Sequence, residues 1–458
     1  MTRAMRSGSL DQVTRDIRRR IPVERHPPVC ADMKLKLPQV LRRRLVGNAL
    51  SLFAAQGLNY LVPLLMVPYL LRTLGPHSYG AIAFAQAIMG YVVVVTDYGF
   101  NLTAARDISI VRDDAGAVAK IYWSTMAAKL LLFLASLLVI AVITLLTPAL
   151  RQSWAVIACC AVTPFGGIAF PQWYFQGLEK LRETAIVQAM AKIVTALALV
   201  MLVHSPEDIL IAAFIMSAPQ LTGVVAARLL GRPIAPNRFS RPTALDIRNS
   251  LASGWHMFIV GASGALYVHT NTFVLGLLCG EIPVALYNVA FKLVYALQSL
   301  AFPVIQAVYP RASMLFSKDP AQAWALVTRV ARLLLPAIAA ASVLLAILAP
   351  YVINLIGGRA YADAVPATRI LCIMPVCTTA ALLLAECVMV NTGLTRPLAR
   401  IYLAVGLINL VVLPGLVWEF SANGAAIALA FAALLLPALM VRSVAANRRA
   451  ASASEISD

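Results

Sequence analysis

Charged side chains are scarce in this sequence. Asp, Glu, Lys and Arg together make up 13% of its 458 residues, whereas 60% of the residues are hydrophobic and the mean hydropathy is +0.80. Soluble globular domains typically carry about 25% charged residues. The composition therefore excludes a soluble globule and indicates a chain whose main solvent is lipid.

Strand-like alternation of polar and apolar residues is absent from the apolar stretches, for example from LLLFLASLLVIAVITLL at 130–146. This excludes a transmembrane β-barrel, so helices carry the spans. A helix needs about 20 apolar residues to cross the hydrocarbon core. On this basis we predict twelve spans, at 47–71, 79–100, 121–147, 153–174, 184–204, 207–230, 252–279, 284–309, 331–356, 364–390, 398–419 and 423–444.

Several functional motifs are also missing. The sequence has no Walker A loop and no HExxH or GxSxG motif, so nucleotide-driven pumping and intramembrane proteolysis lack support. None of its seven cysteines has metal-ligand or disulfide spacing, and we interpret them as packing residues. The longest loop between spans, at 229–250, is too short for the folded domain that a glycan polymerase or ligase would need. Transport is the function class that remains.

Arginine and lysine are distributed unequally between the two sides of the predicted bundle. If the N-terminus is cytoplasmic, the outer segments hold only Arg72, Arg151, Arg359 and Arg369, and the other loop and tail arginines and lysines lie inside. This bias predicts cytoplasmic termini on both ends of the chain. It also accounts for most of the net charge of +18. We expect contacts with anionic lipid headgroups and, without a nucleic-acid-binding module, no nucleic-acid partner.

The predicted domain organisation has two halves of six spans each. Residues 1–46 lack the features of a signal peptide and are predicted to form a disordered basic tail, although translation could equally begin at Met33. The remaining segments are a first half at 47–230, a cytoplasmic linker at 231–250, a second half at 251–444 and a cytoplasmic tail at 445–458.

A short internal similarity supports the two halves. GPHSYGAIAFAQA at 75–87 and GEIPVALYNVAFK at 280–292 share a glycine turn, a small or aromatic pair and the start of a helix. Two halves with an even number of spans have the same orientation in the membrane. This predicts a parallel repeat about an axis along the membrane normal.

The segment at 67–109 resembles the start of the Wzx-type flippases of the polysaccharide transport family. The residues that carry the resemblance are Tyr69, Arg72, Leu74, Gly75, Pro76, Tyr79, Gly80, Asp97, Tyr98, Gly99, Phe100, Arg106 and Asp107. Segments 171–183 and 285–313 resemble two later parts of the family. The resemblance implies a fold like that of the multidrug and toxic compound exporters, with about twelve helices in two six-helix lobes around a central cavity.

The same resemblance implies a cargo. It is an undecaprenyl-diphosphate-linked oligosaccharide, such as an O-antigen, capsule or exopolysaccharide unit, moved from the cytoplasmic to the periplasmic leaflet of the bacterial inner membrane. A glycan polymerase and a chain-length regulator are the implied protein partners, and no cofactor or metal is implied. A multidrug exporter of related fold is the alternative within transport, and a membrane glycan polymerase or ligase is the alternative outside it.

Ionisable residues inside spans are candidates for the site, because they are costly in lipid and tend to face cavities. Lys129, Lys192 and Lys292 are such residues, and Lys292 shares a helical stripe with Asn288 and Tyr295. The alternatives are snorkelling for Lys129 and Lys192 and a helix–helix seam for the stripe. The substrate-binding candidates are Lys292, Lys192, Lys129, Asn288, Tyr295, Asn271 and Arg72.

A second set of residues is predicted to control movement. His256 and Glu386 are candidates for coupling transport to a proton, with a structural hydrogen bond or ion pair as the competing interpretation. Asp97, Arg106 and Asp107 are interpreted as a gate or hinge network, with topology anchoring as the alternative. We expect alternating access, with a proton gradient, a sodium gradient or consumption of the product outside setting the direction.

Overall fold

The computed structural model describes residues 39–231 and 233–457, and these residues contain helices and turns but no strand. The predicted all-helical fold is confirmed. The helices of the first half are α1 (Gln39–Asp97), α2 (Phe100–Ile110), α3 (Ala115–Leu146), α4 (Pro148–Gln152), α5 (Trp154–Cys160), α6 (Val162–Ala169), α7 (Gln172–Gly177), α8 (Leu181–Leu202), α9 (Ile209–Ser217) and α10 (Pro219–Leu229).

The described part of the second half is also helical. Its helices are α11 (Ala244–Val268), α12 (Thr270–Cys279), α13 (Glu281–Ser299), α14 (Phe302–Lys318), α15 (Pro320–Gly357), α16 (Ala364–Leu371), α17 (Met374–Leu382), a π-helix (Leu383–Met389) and α18 (Thr395–Ser457). Short 3₁₀-helices lie at Pro206–Asp208 and Arg359–Tyr361.

The chain divides by its internal contacts into residues 1–50 and residues 51–458. In the first unit, residues 39–50 are helical. Most of the predicted disordered tail and the alternative start at Met33 lie outside the described residues. At the other end, α18 extends to Ser457, so residues 445–457 of the predicted C-terminal tail are helical.

Seven described helices are long and apolar enough to cross a membrane, or nine if each of two bent helix pairs is counted as one span. The bent pairs join at 55° before Pro219 and at 40° before Phe302. Two of the longest helices are kinked inside, at Gly75 in α1 and at Ser421 in α18, where the sequence predicts separate spans. The count of twelve stays a prediction. Each of these two long helices contains two predicted spans that are separated only by the non-helical residue.

The outer surface has the chemistry expected of a chain immersed in lipid. On α3, large apolar side chains such as Leu131, Leu138 and Leu146 are exposed along most of the helix. A soluble protein would bury such a surface, so its natural partner is the hydrocarbon core.

The two halves meet where their similar segments lie. Gly75 in α1 has φ 71° and ψ 174°, and Gly280 before α13 has φ 82° and ψ −167°. This region of backbone space is open almost only to glycine. A Cβ atom on Gly80 would lie 1.9 Å from the carbonyl oxygen of Glu281, so the missing side chain lets α1 approach α13 closely. The matching turns support the internal repeat predicted from the sequence.

Candidate functional site

A cavity of about 390 Å³ lies between helices of both halves, and we call it the main cavity. Most of its wall is apolar and includes Met66 and Leu70 of α1, Leu199 of α8 and Ile215 of α9. The charged or polar lining residues are Lys192, Thr195, Lys292, Tyr295 and Ser299. Two of the three lysines predicted from the sequence are therefore brought to one cavity, one from each half.

Lys292 is held by an aromatic residue of the other half. Its Nζ donates a hydrogen bond to the Tyr79 hydroxyl at 2.7 Å and lies 5.0 Å from the centre of the Tyr79 ring. The close approach of α1 and α13 at Gly80 brings these two side chains together. A hydroxyl and a ring face stabilise the ammonium without neutralising its charge, so the cation remains available to an anion in the main cavity.

Lys192 lies on a polar stripe of α8 that also contains Gln188 and Thr195. It lines the main cavity and also a second cavity of about 230 Å³, which we call the polar chamber. The 188, 192 and 195 spacing places the three side chains on one helix face, and this signal was available in the sequence. Lys192 thus stands at the junction of an apolar cavity and a polar one.

Lys129, the third predicted lysine, has a different environment. Its side chain is only 1% exposed, and its Nζ donates to Asp97 Oδ1 at 2.8 Å. It does not line the main cavity. Its ammonium is therefore held by a carboxylate instead of facing the main cavity.

The predicted gate residues fall into two separate pairs. Asp97 pairs with Lys129 and accepts a second hydrogen bond from Asn101, whereas Arg106 pairs with its neighbour Asp107 at 3.0 Å. Between the pairs, Tyr98 and Gly99 have φ values of 45° and 81°, which ends α1 and begins α2. The segment has the backbone of a hinge, but its charged residues do not form one network.

Contacts that sequence reasoning missed bridge the helices at this end of the bundle. Lys120 Nζ lies 3.0 Å from Asp246 Oδ1, and the Tyr98 ring stacks on Phe258 at 4.7 Å between centroids. The Thr243 hydroxyl, and next Lys120, hold the pKa of Asp246 below its usual value, so the carboxylate stays charged at neutral pH. In the sequence, the capping-box pattern of Thr243 and Asp246 is the signal that marks this helix start.

The opposite end is bridged by Glu281. Its carboxylate lies 2.9 Å from His77 Nδ1 and accepts a hydrogen bond from the Ser153 hydroxyl at 2.7 Å. Arg72, predicted to bind substrate, is exposed near this end and donates to the Leu355 carbonyl instead of lining the main cavity.

Two further candidates form a seam between helices. Asn271 is buried and accepts a hydrogen bond from Asn409 of α18 at 3.2 Å. Asn288 donates to Thr272 and to the Val284 carbonyl. Neither lines the main cavity, whereas Tyr295 of the same stripe does. Of the predicted stripe, Tyr295 therefore lines the main cavity, whereas Asn288 lies in a helix–helix seam, which was the alternative interpretation.

The coupling candidates lie away from the main cavity. Glu386 is partly buried in the middle of the π-helix, close to Tyr402 of α18. π-helical turns occur frequently at functional sites. His256 is exposed on α11. The structure therefore does not connect either residue directly with the two lysines of the main cavity.

Comparison with the sequences of known proteins adds three findings. The sequence profile of a family described as "Polysaccharide biosynthesis protein" matches residues 45–316. A protein of Escherichia coli (strain K12) named "Putative O-antigen transporter" is 30% identical over 404 residues, which cover 88% of this chain and 97% of the relative. A protein of Shigella dysenteriae with the same name is 27% identical, over 87% of this chain and 99% of that relative.

Two solved structures have the same fold at low identity. The lipid II flippase MurJ in an inward closed conformation superposes with a TM-score of 0.68 at 11% identity, covering 87% of each chain. A multidrug resistance MATE family transporter of the MOP superfamily in an inward-facing conformation superposes with a TM-score of 0.59 at 13% identity. That match covers 86% of this chain and 98% of the transporter.

Proposed function

Because this chain belongs to the polysaccharide biosynthesis protein family, we propose that it is a flippase for undecaprenyl-diphosphate-linked oligosaccharides. It moves the oligosaccharide from the cytoplasmic to the periplasmic leaflet of the inner membrane. The observation that carries the proposal is the main cavity, in which one lysine from each half faces a mostly apolar space.

The chemistry of the cargo matches this lining. Its sugars and diphosphate are too polar to cross lipid unaided. An ammonium group attracts a diphosphate by charge and donates hydrogen bonds to its oxygens. The apolar wall formed by residues such as Met66, Leu199 and Ile215 suits the beginning of the polyprenyl chain.

The cycle we propose is alternating access. In this structure contacts bridge both ends of the bundle, through Glu281 at one end and Lys120–Asp246 at the other. Each end must open in turn, and the charge bias of the loops assigns the Glu281 end to the periplasm. A proton or sodium gradient, with Glu386 and His256 as coupling candidates, or consumption of the product outside sets the direction. No cofactor takes part, and the exported units pass to a glycan polymerase and its chain-length regulator.

A multidrug exporter remains the second candidate, because the MATE transporters share the fold. A cavity for cationic drugs is expected to present acidic side chains. Both charged residues that line the main cavity are lysines, which favours an anionic cargo.

The test replaces Lys292 in a flippase-deficient strain and measures surface glycan and membrane protein level. Lys292→Arg keeps the charge, whereas Lys292→Gln keeps a hydrogen-bonding group beside Tyr79 without the charge. A hydrogen bond to a charged group is worth about 1.5–3 kcal/mol. We therefore expect export by the glutamine and alanine variants to fall roughly 10- to 100-fold and the arginine variant to retain much of it.

Lys318→Ala is the matched control, because this lysine is exposed at the end of α14. It should leave export unchanged. Normal export by a well-expressed Lys292→Ala protein would remove the residue from the site. Failure of the unmodified protein to restore glycan export would refute the proposed function itself.

A further inference from the structure

The polar chamber has a lining that the proposed function does not yet use. The residues that line it belong to the first half of the chain. They include the amides of Gln172, Gln188, Gln220 and Asn101. Each amide offers both donors and acceptors. The hydroxyl residues Thr96 and Thr163 add to the wall. Four amides around one cavity offer several hydrogen-bond donors and acceptors to a ligand rich in hydroxyl groups.

The charged residues that line the polar chamber are Asp97 and Lys192. Asp97 lines the chamber, but its carboxylate is paired with Lys129. Lys192 contributes to both cavities, as does Pro219. The polar chamber therefore presents neutral hydrogen-bonding groups beside one ammonium, which suits an uncharged polar group attached to an anion.

Local structure explains how the amides converge. Gln188 stands one turn before Lys192 on the same face of α8, and its amide lies 3.4 Å from that of Gln172 at the start of α7. Gln220 follows the break between α9 and α10, and Gly166 leaves room for it because a Cβ there would lie 2.9 Å from the Gln220 Cβ. The Phe170 ring forms part of the remaining wall and offers an apolar surface to the C–H face of a sugar ring.

We infer that the polar chamber is the sugar subsite of the flippase. The sugar next to the diphosphate hydrogen-bonds to the amides of Gln172, Gln188 and Gln220. Lys192 faces the diphosphate at the junction, and the polyprenyl chain begins along the apolar wall of the main cavity. This inference rests on the proposed function and assigns each part of the cargo to a different part of the two cavities.

The test compares two lipids that differ only in the sugars. Purified protein in lipid nanodiscs is titrated with undecaprenyl diphosphate and with the undecaprenyl-diphosphate-linked oligosaccharide isolated from the flippase-deficient strain that the protein complements. The variants are Gln172→Leu and Gln220→Leu. Gln176→Leu is the matched control, because it lies one turn from Gln172 on α7, is exposed and does not line the polar chamber.

Loss of one neutral hydrogen bond corresponds to a roughly three- to tenfold loss of affinity. We expect each chamber variant to bind the sugar-bearing lipid more weakly by that factor and the sugar-free lipid as the unmodified protein does. Lys192→Ala should weaken binding of both lipids, and Gln176→Leu should change neither.

The two proposals fail in different ways. If Gln172→Leu and Gln220→Leu bind both lipids normally, or lose affinity for both equally, the sugar subsite is refuted and the proposed function stands. If the unmodified protein binds neither lipid, the proposed function is refuted as well.

Discussion

The buried pair of Lys129 and Asp97 gives the most quantitative prediction. Asp97→Ala would leave an ammonium that is 1% exposed without its carboxylate partner. Removing one partner of a buried ion pair typically costs about 3–5 kcal/mol. Because Asp97 itself is 34% exposed, water can partly replace the carboxylate, and we expect the lower end of this range. A loss of about 3 kcal/mol in the free energy of unfolding lowers the ratio of folded to unfolded protein by roughly 100-fold.

The assay measures the melting temperature in detergent and the amount of protein in the membrane. Asp97→Ala should lower both, and Asp113→Ala, at an exposed carboxylate, should lower neither. The double variant Asp97→Leu with Lys129→Met contains no buried charge and should recover stability, since apolar residues often replace a buried pair without loss.

Two results would contradict this reasoning. One is an Asp97→Ala protein that melts like the unmodified protein, which would mean that Lys129 does not depend on its partner. The other is a double variant that is as unstable as Asp97→Ala, which would mean that the lost stability does not come from an uncompensated charge.

Three further predictions concern packing, topology and the tail. Gly80→Ala should strongly reduce abundance and export, because its Cβ would lie 1.9 Å from a backbone oxygen of α13, whereas Gly415→Ala, with nothing within 4 Å, should be tolerated in both assays. In a cysteine-free variant, a membrane-impermeant thiol reagent added outside should label a cysteine placed in the 357–364 loop but not one in the 229–250 loop. The reverse labelling would overturn the orientation. Deletion of residues 1–32 should leave membrane insertion and export unchanged, and a loss of export would assign a function to the tail.

The sequence predicted the helical fold and the two cavity lysines for a physical reason. An ionisable group in an apolar span is rare enough to stand out, so Lys192 and Lys292 could be found without a structure. The residues that contact these lysines could not be found in this way. Tyr79 lies 213 residues from Lys292 along the chain, and only the packing of α1 on α13 brings them together.

Lys129 shows the limit of reasoning from charge alone. Its sequence environment resembles that of Lys192, but Lys129 meets a carboxylate at 2.8 Å and Lys192 lines two cavities. Arg72 belongs to the segment that carries the family resemblance, but a resemblance does not indicate which way a side chain points. The amides of the polar chamber give a weaker sequence signal, because a neutral polar side chain in a span is less unusual than a charged one.

The matching glycine turns carry an evolutionary consequence. Gly75 and Gly280 share one backbone conformation, and the segments that they begin touch each other. A half-length ancestor with one such turn could have met a second copy of itself through this surface, as in a symmetric dimer. Such a dimer would carry every residue twice. In the fused chain, the position in the first segment that corresponds to Lys292 is Ala87. Once two such copies are fused, each half can change alone, which allows a lysine at position 292 and an alanine at position 87.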